Sequence, residues 1–212
     1  MLSAYLAEFA TVVVVHLLAV MSPGPDFVMI SRNSLVHSRR AGIYAAFGLA
    51  LGILGHVTYS LIGIGFVIAN SIVLYSVLKY LGAGYLVYLG YRALRAAPAF
   101  APANTPAAPA HTDLSALAAV RMGFLTNILN PKATLFFFAL FTQVIDPHTP
   151  KAVQVLYGLE MALATFVWFA LVAVVLSHAQ VRGALASMLR HVERAFGAIL
   201  IALGVKVALS AR

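Results

Sequence analysis

The sequence predicts an all-α membrane protein with six transmembrane helices, arranged as two inverted repeats of three, the first helix of each repeat being broken at proline. The 212 residues are 62% hydrophobic and 9% charged, with a mean hydropathy of +0.95. A soluble domain is about 45–50% apolar and about 25% charged. The apolar residues form runs longer than the roughly 18 residues that cross a bilayer. Proline breaks also recur at matching places in the two halves.

Six apolar runs make up a single transmembrane domain, residues 1–212. Repeat one covers residues 1–95 and repeat two residues 121–212. The connecting residues 96–120 form a linker in which prolines among alanines cannot bury a core. These prolines are Pro98, Pro102, Pro106 and Pro109. The helices are expected at residues 5–36, 42–69, 72–91, 122–145 and 152–177, with a short last one at 195–209.

The charges and the lack of cysteine exclude several other classes. The net charge of +8 comes from 14 Lys and Arg residues in short clusters between apolar runs, which is typical of topology signals and not of a nucleic-acid-binding face. The absence of cysteine excludes disulfides, thiol chemistry and Cys-ligated metals. Residues 1–8 hold an acid and no base, so we expect no cleaved signal peptide. The predicted surroundings are a lipid bilayer, with no nucleic acid.

The distribution of Lys and Arg residues predicts the orientation in the membrane. One side of the predicted bundle collects Arg32, Arg39, Arg40, Arg92, Arg95, Arg121, Arg182, Arg190 and Arg194. The other side has at most Lys79, Lys151, Lys206 and Arg212. Because positive charge is retained on the cytoplasmic side, we expect the linker to be cytoplasmic and both termini to lie outside the membrane.

The two halves of the chain also resemble each other in sequence. Each opens with a helix broken at proline and closes with Leu-Gly-x-basic, at residues 89–92 and 203–206. Because each half holds three helices, the second half must lie upside down relative to the first. This is the inverted-repeat plan of many secondary transporters, whose substrate sites lie at broken helices.

The first helix is expected to break at residues 22–25, Ser-Pro-Gly-Pro. The prolines cannot donate to the carbonyls four residues upstream, and each disfavours helical geometry at the residue before it. Within a membrane such freed groups are tolerated where they line a cavity. The half-helix that starts near Asp26 would direct free N–H groups into that cavity, a suitable place for a substrate carboxylate. A simple packing kink is the alternative. The candidate substrate-binding residues here are Ser22, Pro23, Gly24, Pro25 and Asp26.

The fourth helix is expected to break at Pro131, which leaves the carbonyl of Asn127 without its helical partner. Lys132 then places a cation near mid-membrane, where a charge costs about 2.5–3.5 kcal/mol, so it should face a polar interior. Asn127 and Asn130 lie three residues apart and offer amide groups on nearly one helix face. A polar clamp that only joins helices is the alternative. The candidate substrate-binding residues here are Asn127, Asn130, Pro131 and Lys132.

Three residues in the apolar runs are candidates for proton coupling: Asp26, Glu160 and His56. Acidic side chains are rare at the depth in the membrane that we expect for Glu160. The alternative is that Glu160 snorkels or pairs with Lys151. His56 titrates near neutral pH and so suits a proton relay. The alternative for His56, and likewise for His16, is a histidine that only binds a neighbouring helix.

Two further features are interpreted structurally. Gly48, Gly52 and Gly55 share one face of helix two and predict a close approach of another helix. Lys79 is interpreted as a snorkelling side chain or a structural partner.

Several segments together resemble a known family, the lysine exporter and homoserine/threonine resistance-type translocators (LysE/RhtB). They are the motif Ser22-Pro23-Gly24-Pro25-Asp26, the glycine-containing stretch 42–52 after Arg39-Arg40, the stretch 81–90, and residues 123–132, which end in Asn130-Pro131-Lys132. The resemblance spans nearly the whole chain. It implies a six-helix exporter of amino acids or close derivatives, driven by the proton gradient in a bacterial inner membrane.

These observations favour a proton-coupled efflux carrier whose site lies between the two broken helices. Lys132 and the half-helix N–H groups would meet the substrate carboxylate, and Asp26 the ammonium or the proton. We predict no cofactor, no metal and no enzymatic activity, and the sequence leaves the substrate's identity and a homo-oligomer open. The rival functions are a passive pore, a cation transporter and an intramembrane enzyme using His16, His56 and Asp26, which lacks a nucleophile motif.

Overall fold

The computed structural model describes residues 2–95, 114–146, 148–176 and 179–209, and over them the chain is all-helical. Most of the predicted linker, residues 96–113, lies outside the described residues. The helices are α1 (Leu2–Met21), α2 (Pro25–Arg32), α3 (Arg39–Asn70), α4 (Ile72–Arg95), α5 (Ala116–Ile128), α6 (Pro131–Gln143), α7 (Lys151–Val175) and α8 (Ala179–Leu209), with a π-helical turn at Asn33–His37.

Both predicted helix breaks are present. Between α1 and α2 the chain bends by 55°, and between α5 and α6 by 58°. In each case proline is the first residue of the second helix, a position where its missing N–H removes no hydrogen bond. Gly24 and Asn130, which precede the prolines, are extended, as proline requires of the residue before it. The proline positions therefore fix where the two helices break.

Two helices, α5 and α8, begin well before the residues at which the sequence predicts them. α5 begins at Ala116, inside the predicted linker, because the Ser115 side chain caps it by accepting from the Ala118 N–H. α8 is not short: it has 31 residues and begins at Ala179. The charged residues before 195 suggest a loop, but arginine, glutamate and leucine are good helix formers. Leu189 and Glu193 are also buried, which ties this early part of α8 to the bundle.

Length and composition identify two single helices that can cross a membrane, α3 over Arg39–Gly63 and α7 over Lys151–Val175. The bent pairs α1–α2 and α5–α6 each pass the same test as one broken span, so the described residues offer up to four spans. α4 and α8 have 24 and 31 residues and are long enough to cross a membrane, but only their described residues were compared with these criteria. The arrangement of six spans stays a prediction. The side chain of Lys79 lies outside the described part of α4.

The glycine face of α3 packs on α5, as predicted. A Cβ at Gly48 would collide with the backbone of Val120, and one at Gly52 would lie 2.6 Å from Asn127 Oδ1. A Cβ at Gly55 would lie 2.7 Å from Ile128 Cδ1. Only glycine allows α3 to approach α5 this closely. This approach brings α3 against the second helix break.

The core consists of two apolar clusters. One contains Phe136, Phe137 and Phe196 with residues of α1, α3, α4 and α7. The other contains Phe27 and Phe169 with residues of α2, α3 and α5. The two breaks lie where these clusters meet, because each proline separates a helix of one cluster from a helix of the other.

A polar contact joins α1 to the loop between α6 and α7. The Glu8 carboxylate accepts from the Asp146 backbone N–H, at 2.9 Å, and from the Thr149 hydroxyl, at 3.0 and 3.1 Å to its two oxygens. Nearby, the Tyr157 hydroxyl donates to the Tyr5 carbonyl at 3.1 Å. The start of α1 is thereby fixed against the start of α7.

Candidate functional site

A cavity lies between the two helix breaks, with an empty volume of about 520 Å³ that includes its open mouth. Six of the nine predicted substrate-binding residues line it: Ser22, Gly24, Asp26, Asn127, Asn130 and Lys132. The other three are prolines, which produce the breaks. The rest of the wall is mainly aromatic and aliphatic.

Asp26 lies in the first turn of α2 and reaches across the cavity to the second break. One carboxylate oxygen accepts from Asn127 Nδ2 at 2.8 Å, and the other accepts from Asn130 Nδ2 at 3.2 Å. Its position at a helix N-terminus also stabilises negative charge. The two asparagines therefore hold a carboxylate between the breaks.

Lys132 lies in the first turn of α6 and reaches in the opposite direction, to the first break. Its ammonium donates to Ser22 Oγ at 2.9 Å and to the carbonyls of Ser22 and Pro23, each at 3.4 Å. It also lies 5.7 Å from the centre of the Phe196 ring, within range of a cation–π interaction. A Cβ on Gly24 would lie 3.5 Å from this ammonium, an ordinary van der Waals contact.

The two charged residues form reciprocal contacts, but not an ion pair. The acid of the first break binds the second break, and the cation of the second binds the first. Among the described residues, Lys132 forms no ion pair with Asp26 within 4 Å, although the two interact electrostatically. The cavity between them is thus bordered by one cation and one carboxylate.

His56 binds the backbone of the second break from outside the cavity. Its Nε2 lies 3.0 Å from the Asn127 carbonyl, the group that Pro131 leaves without a helical donor, and its ring stacks on Phe137 at 5.3 Å. Because a carbonyl only accepts, Nε2 carries the hydrogen. In the neutral ring Nδ1 then accepts from the Tyr59 hydroxyl. The histidine therefore binds a neighbouring helix and does not line the cavity.

The other acids lie further away. Glu160 in α7 does not line the cavity, and its buried Oε2 has no hydrogen-bond partner among the described residues. The alternative pairing with Lys151 is wrong, since that ammonium donates to Gln154 Oε1 at 3.4 Å and the described part of the chain shows no ion pair between them.

Glu193 belongs to the site region but is not predicted from the sequence. This acid of α8 is 9% exposed and interacts electrostatically with Lys132, as Asp26 does. It lies three residues before Phe196, on the face of α8 that the cavity uses. It stands between basic residues, ahead of the last predicted helix, and no local sequence pattern indicates that it is buried.

His16 of α1 forms part of the cavity wall and is 2% exposed. Its Nε2 lies 3.3 Å from the Thr165 hydroxyl of α7. Its ring is 6.5 and 6.2 Å from the rings of Phe136 and Phe137. Its Nδ1 has no hydrogen-bond partner among the described residues.

Comparisons with known proteins identify a family model and several similar proteins. The model of the LysE type translocators matches residues 17–211. The threonine efflux protein of Escherichia coli is 27% identical over 202 residues, covering 95% of this chain and 98% of that protein. The uncharacterized membrane protein YrhP of Bacillus subtilis is 28% identical, covering 90% and 93%. A further uncharacterized membrane protein, from Vibrio cholerae, is 35% identical over 69% of each chain. No solved structure matches.

Proposed function

The chain belongs to the LysE type translocators, and on this premise we propose that it exports amino acids or close derivatives from the bacterial cytoplasm in exchange for protons. The threonine efflux relatives support an amino acid as the substrate, because they match over almost their full length. The protein is a multi-pass membrane protein. Its partners in this proposal are a small zwitterion, protons and the lipid bilayer.

The observation that carries the proposal is the pair of opposite charges on the two helix breaks. A zwitterion needs a cationic and an anionic contact a short distance apart. The cavity is bordered by the Lys132 ammonium and the Asp26 carboxylate. The N-terminus of α6 adds a positive dipole end beside the lysine. This combination suits a carboxylate at Lys132 and an ammonium at Asp26.

Proton exchange follows from competition at one carboxylate. Asp26 either carries charge, in which case it attracts the substrate ammonium, or carries a proton, in which case it does not. A proton arriving from outside would release the substrate, and its departure to the cytoplasm would restore the site. His56 is a candidate relay because it binds the same break as Asp26. Glu160 remains a candidate because one buried oxygen of its carboxylate has no hydrogen-bond partner among the described residues.

The helix contacts support the two inverted repeats. If α1–α2, α3 and α4 correspond to α5–α6, α7 and α8, the contacts of α3 with α5 and α6 should be matched by contacts of α7 with α1 and α2. Both matches are present. α3 also packs on its counterpart α7, and α4 on its counterpart α8. Six spans with both termini outside complete the proposal, and reporter fusions at each loop test it.

The transport test uses proteoliposomes preloaded with labelled threonine, homoserine, leucine, lysine or arginine. Release is followed with and without an imposed proton gradient. The expected result is saturable, gradient-dependent release of at least one amino acid. Release of none, together with leakage of unrelated ions, would replace the carrier by a pore.

A control variant shows whether the loss of a charge matters only at the cavity. Lys151→Met removes a cation whose ammonium donates to Gln154 Oε1 near the start of α7, and it should leave release unchanged. Asp26→Asn should remove the dependence on the proton gradient, because the amide cannot take up a proton. Gradient-dependent release by the Asp26→Asn protein would contradict the assignment of Asp26 as the proton carrier.

A further inference from the structure

His16 has a buried nitrogen that the proposed mechanism does not use. Within the described residues its Nδ1 has no hydrogen-bond partner, although its side chain is 98% removed from solvent. Buried polar groups in native proteins nearly always have a partner, so each exception calls for an explanation. Because His16 is among the residues that line the cavity with Asp26 and Lys132, a ligand bound in the cavity is a candidate partner for this nitrogen.

The partner of the other ring nitrogen limits what the ligand can be. If the Thr165 hydroxyl donates to Nε2, Nδ1 carries the hydrogen and donates. If Nε2 donates to the Thr165 oxygen, Nδ1 accepts. A hydroxyl both donates and accepts, so it matches either arrangement. An ammonium can only donate, and a carboxylate can only accept, so each of them matches one arrangement.

The distance between His16 and the charged end of the cavity fits the length of a small amino acid. His16 of α1 lies six residues before Ser22, which directly follows the helix, and this spacing corresponds to about 9 Å along the helix axis. Ser22 binds the Lys132 ammonium. A short amino acid with a hydrogen bond of about 2.8 Å at each end bridges a comparable distance. Phe136 and Phe137 beside the ring leave little else that is polar there.

We propose that His16, held by Thr165, is a specificity-determining residue that binds the hydroxyl of the substrate's side chain. The site then favours hydroxyl-bearing amino acids over apolar ones of the same shape, because an apolar side chain leaves the buried nitrogen unpaired. This inference rests on the proposed amino-acid export. It adds a third polar contact to the two that recognise the zwitterion.

The experiment compares labelled threonine with valine, which has the same shape and a methyl group in place of the hydroxyl, and serine with alanine as a second pair. Initial release from proteoliposomes is measured at equal concentrations. The unaltered protein should release threonine at least about tenfold faster than valine, since sites that bind a hydroxyl reject analogues lacking it. His16→Phe keeps a ring in place and should lower this ratio at least about tenfold. Thr165→Val should lower it about threefold.

The control is His191→Phe, which should leave the ratio unchanged, because this exposed histidine of α8 is hydrogen-bonded to the Ser187 carbonyl and does not line the cavity. Binding is measured in parallel by thermal stabilisation of the purified protein with threonine or valine. The His16→Phe protein should lose stabilisation by threonine and keep that by valine. If this variant does not fold, the Thr165→Val ratio decides.

Three results would overturn the inference. One is an unchanged ratio in an active His16→Phe protein, another is a preference of the unaltered protein for valine. The third is loss of gradient dependence at an unchanged ratio, which would make His16 a proton relay. Failure of the proposed function is distinct from all of these, because the unaltered protein would then release no amino acid at all.

Discussion

The two helix breaks satisfy their freed backbone groups in different ways. At the first break, the carbonyls of Ser22 and Pro23 accept from one long, flexible cation, Lys132, with contacts of 3.4 Å. At the second, the carbonyl of Asn127 accepts from the adjacent backbone at 2.9 Å and from His56 at 3.0 Å. An ammonium on four methylenes can change partners with a bond rotation, whereas the stacked, buried imidazole cannot. The first break is therefore the adjustable one, and the second is fixed.

Among the tests of this difference, Lys132→Met should have the largest effect, because it keeps the length of the side chain and removes the charge. We expect release to fall at least about 100-fold, because the substrate carboxylate loses its cation and the first break loses its donor. Release from proteoliposomes is measured beside the protein content of the membrane. Full activity in protein still present in the membrane would show that Lys132 does not bind the carboxylate.

A second test disturbs the fixed break through its neighbour. In Gly52→Ala the new Cβ would lie 2.6–2.8 Å from Asn127 side-chain atoms, so Asn127 must shift and its bond to Asp26 weakens. We expect about a tenfold lower apparent affinity and a loss of about 1–3 kcal/mol in stability. Gly63→Ala on the same helix is the control, since a Cβ there meets nothing within 4 Å. Equal behaviour of the two variants would show that the second break tolerates displacement.

His56→Phe should affect stability more than transport. The phenyl ring keeps the stack on Phe137 but leaves the Asn127 carbonyl one donor short, which costs about 1–3 kcal/mol. For a chain of this size we expect the melting temperature to fall by about 2–4 °C per kcal/mol. Thermal unfolding in detergent and release rates are compared. If release becomes independent of the proton gradient while the melting temperature is unchanged, His56 is a relay and not a support.

The smallest effect is expected for Glu193→Gln. The acid acts on Lys132 only through its electrostatic field, so we expect apparent affinity to change about two- to fivefold with little loss of stability. Arg194→Gln, its exposed neighbour, serves as the control. A complete loss of transport would make Glu193 a direct participant, comparable to the residues of the breaks.

Sequence reasoning recovers local features of this molecule better than those that depend on packing. Proline chemistry acts within four residues, so the break positions at Pro25 and Pro131 were predicted correctly. The glycine face of α3 was also correct, although its partner could not be named. The contact of His56 with the Asn127 carbonyl joins residues 71 positions apart, and no local pattern encodes it. Glu193 was missed for the same reason, because its burial depends on how α8 packs.

The Glu8 contact has a consequence for motion. α1 is tied to the loop after α6 by Glu8 at one end, and to the start of α6 by Ser22 and Lys132 at the other. Two elements that are in contact at both ends move as one rigid body. While both contacts hold, α1 and α6 turn together, and the bending is confined to the proline breaks that connect them to α2 and α5. A substrate carboxylate that draws Lys132 away from Ser22 removes one contact, so the ligand itself would allow α1 and α6 to move separately.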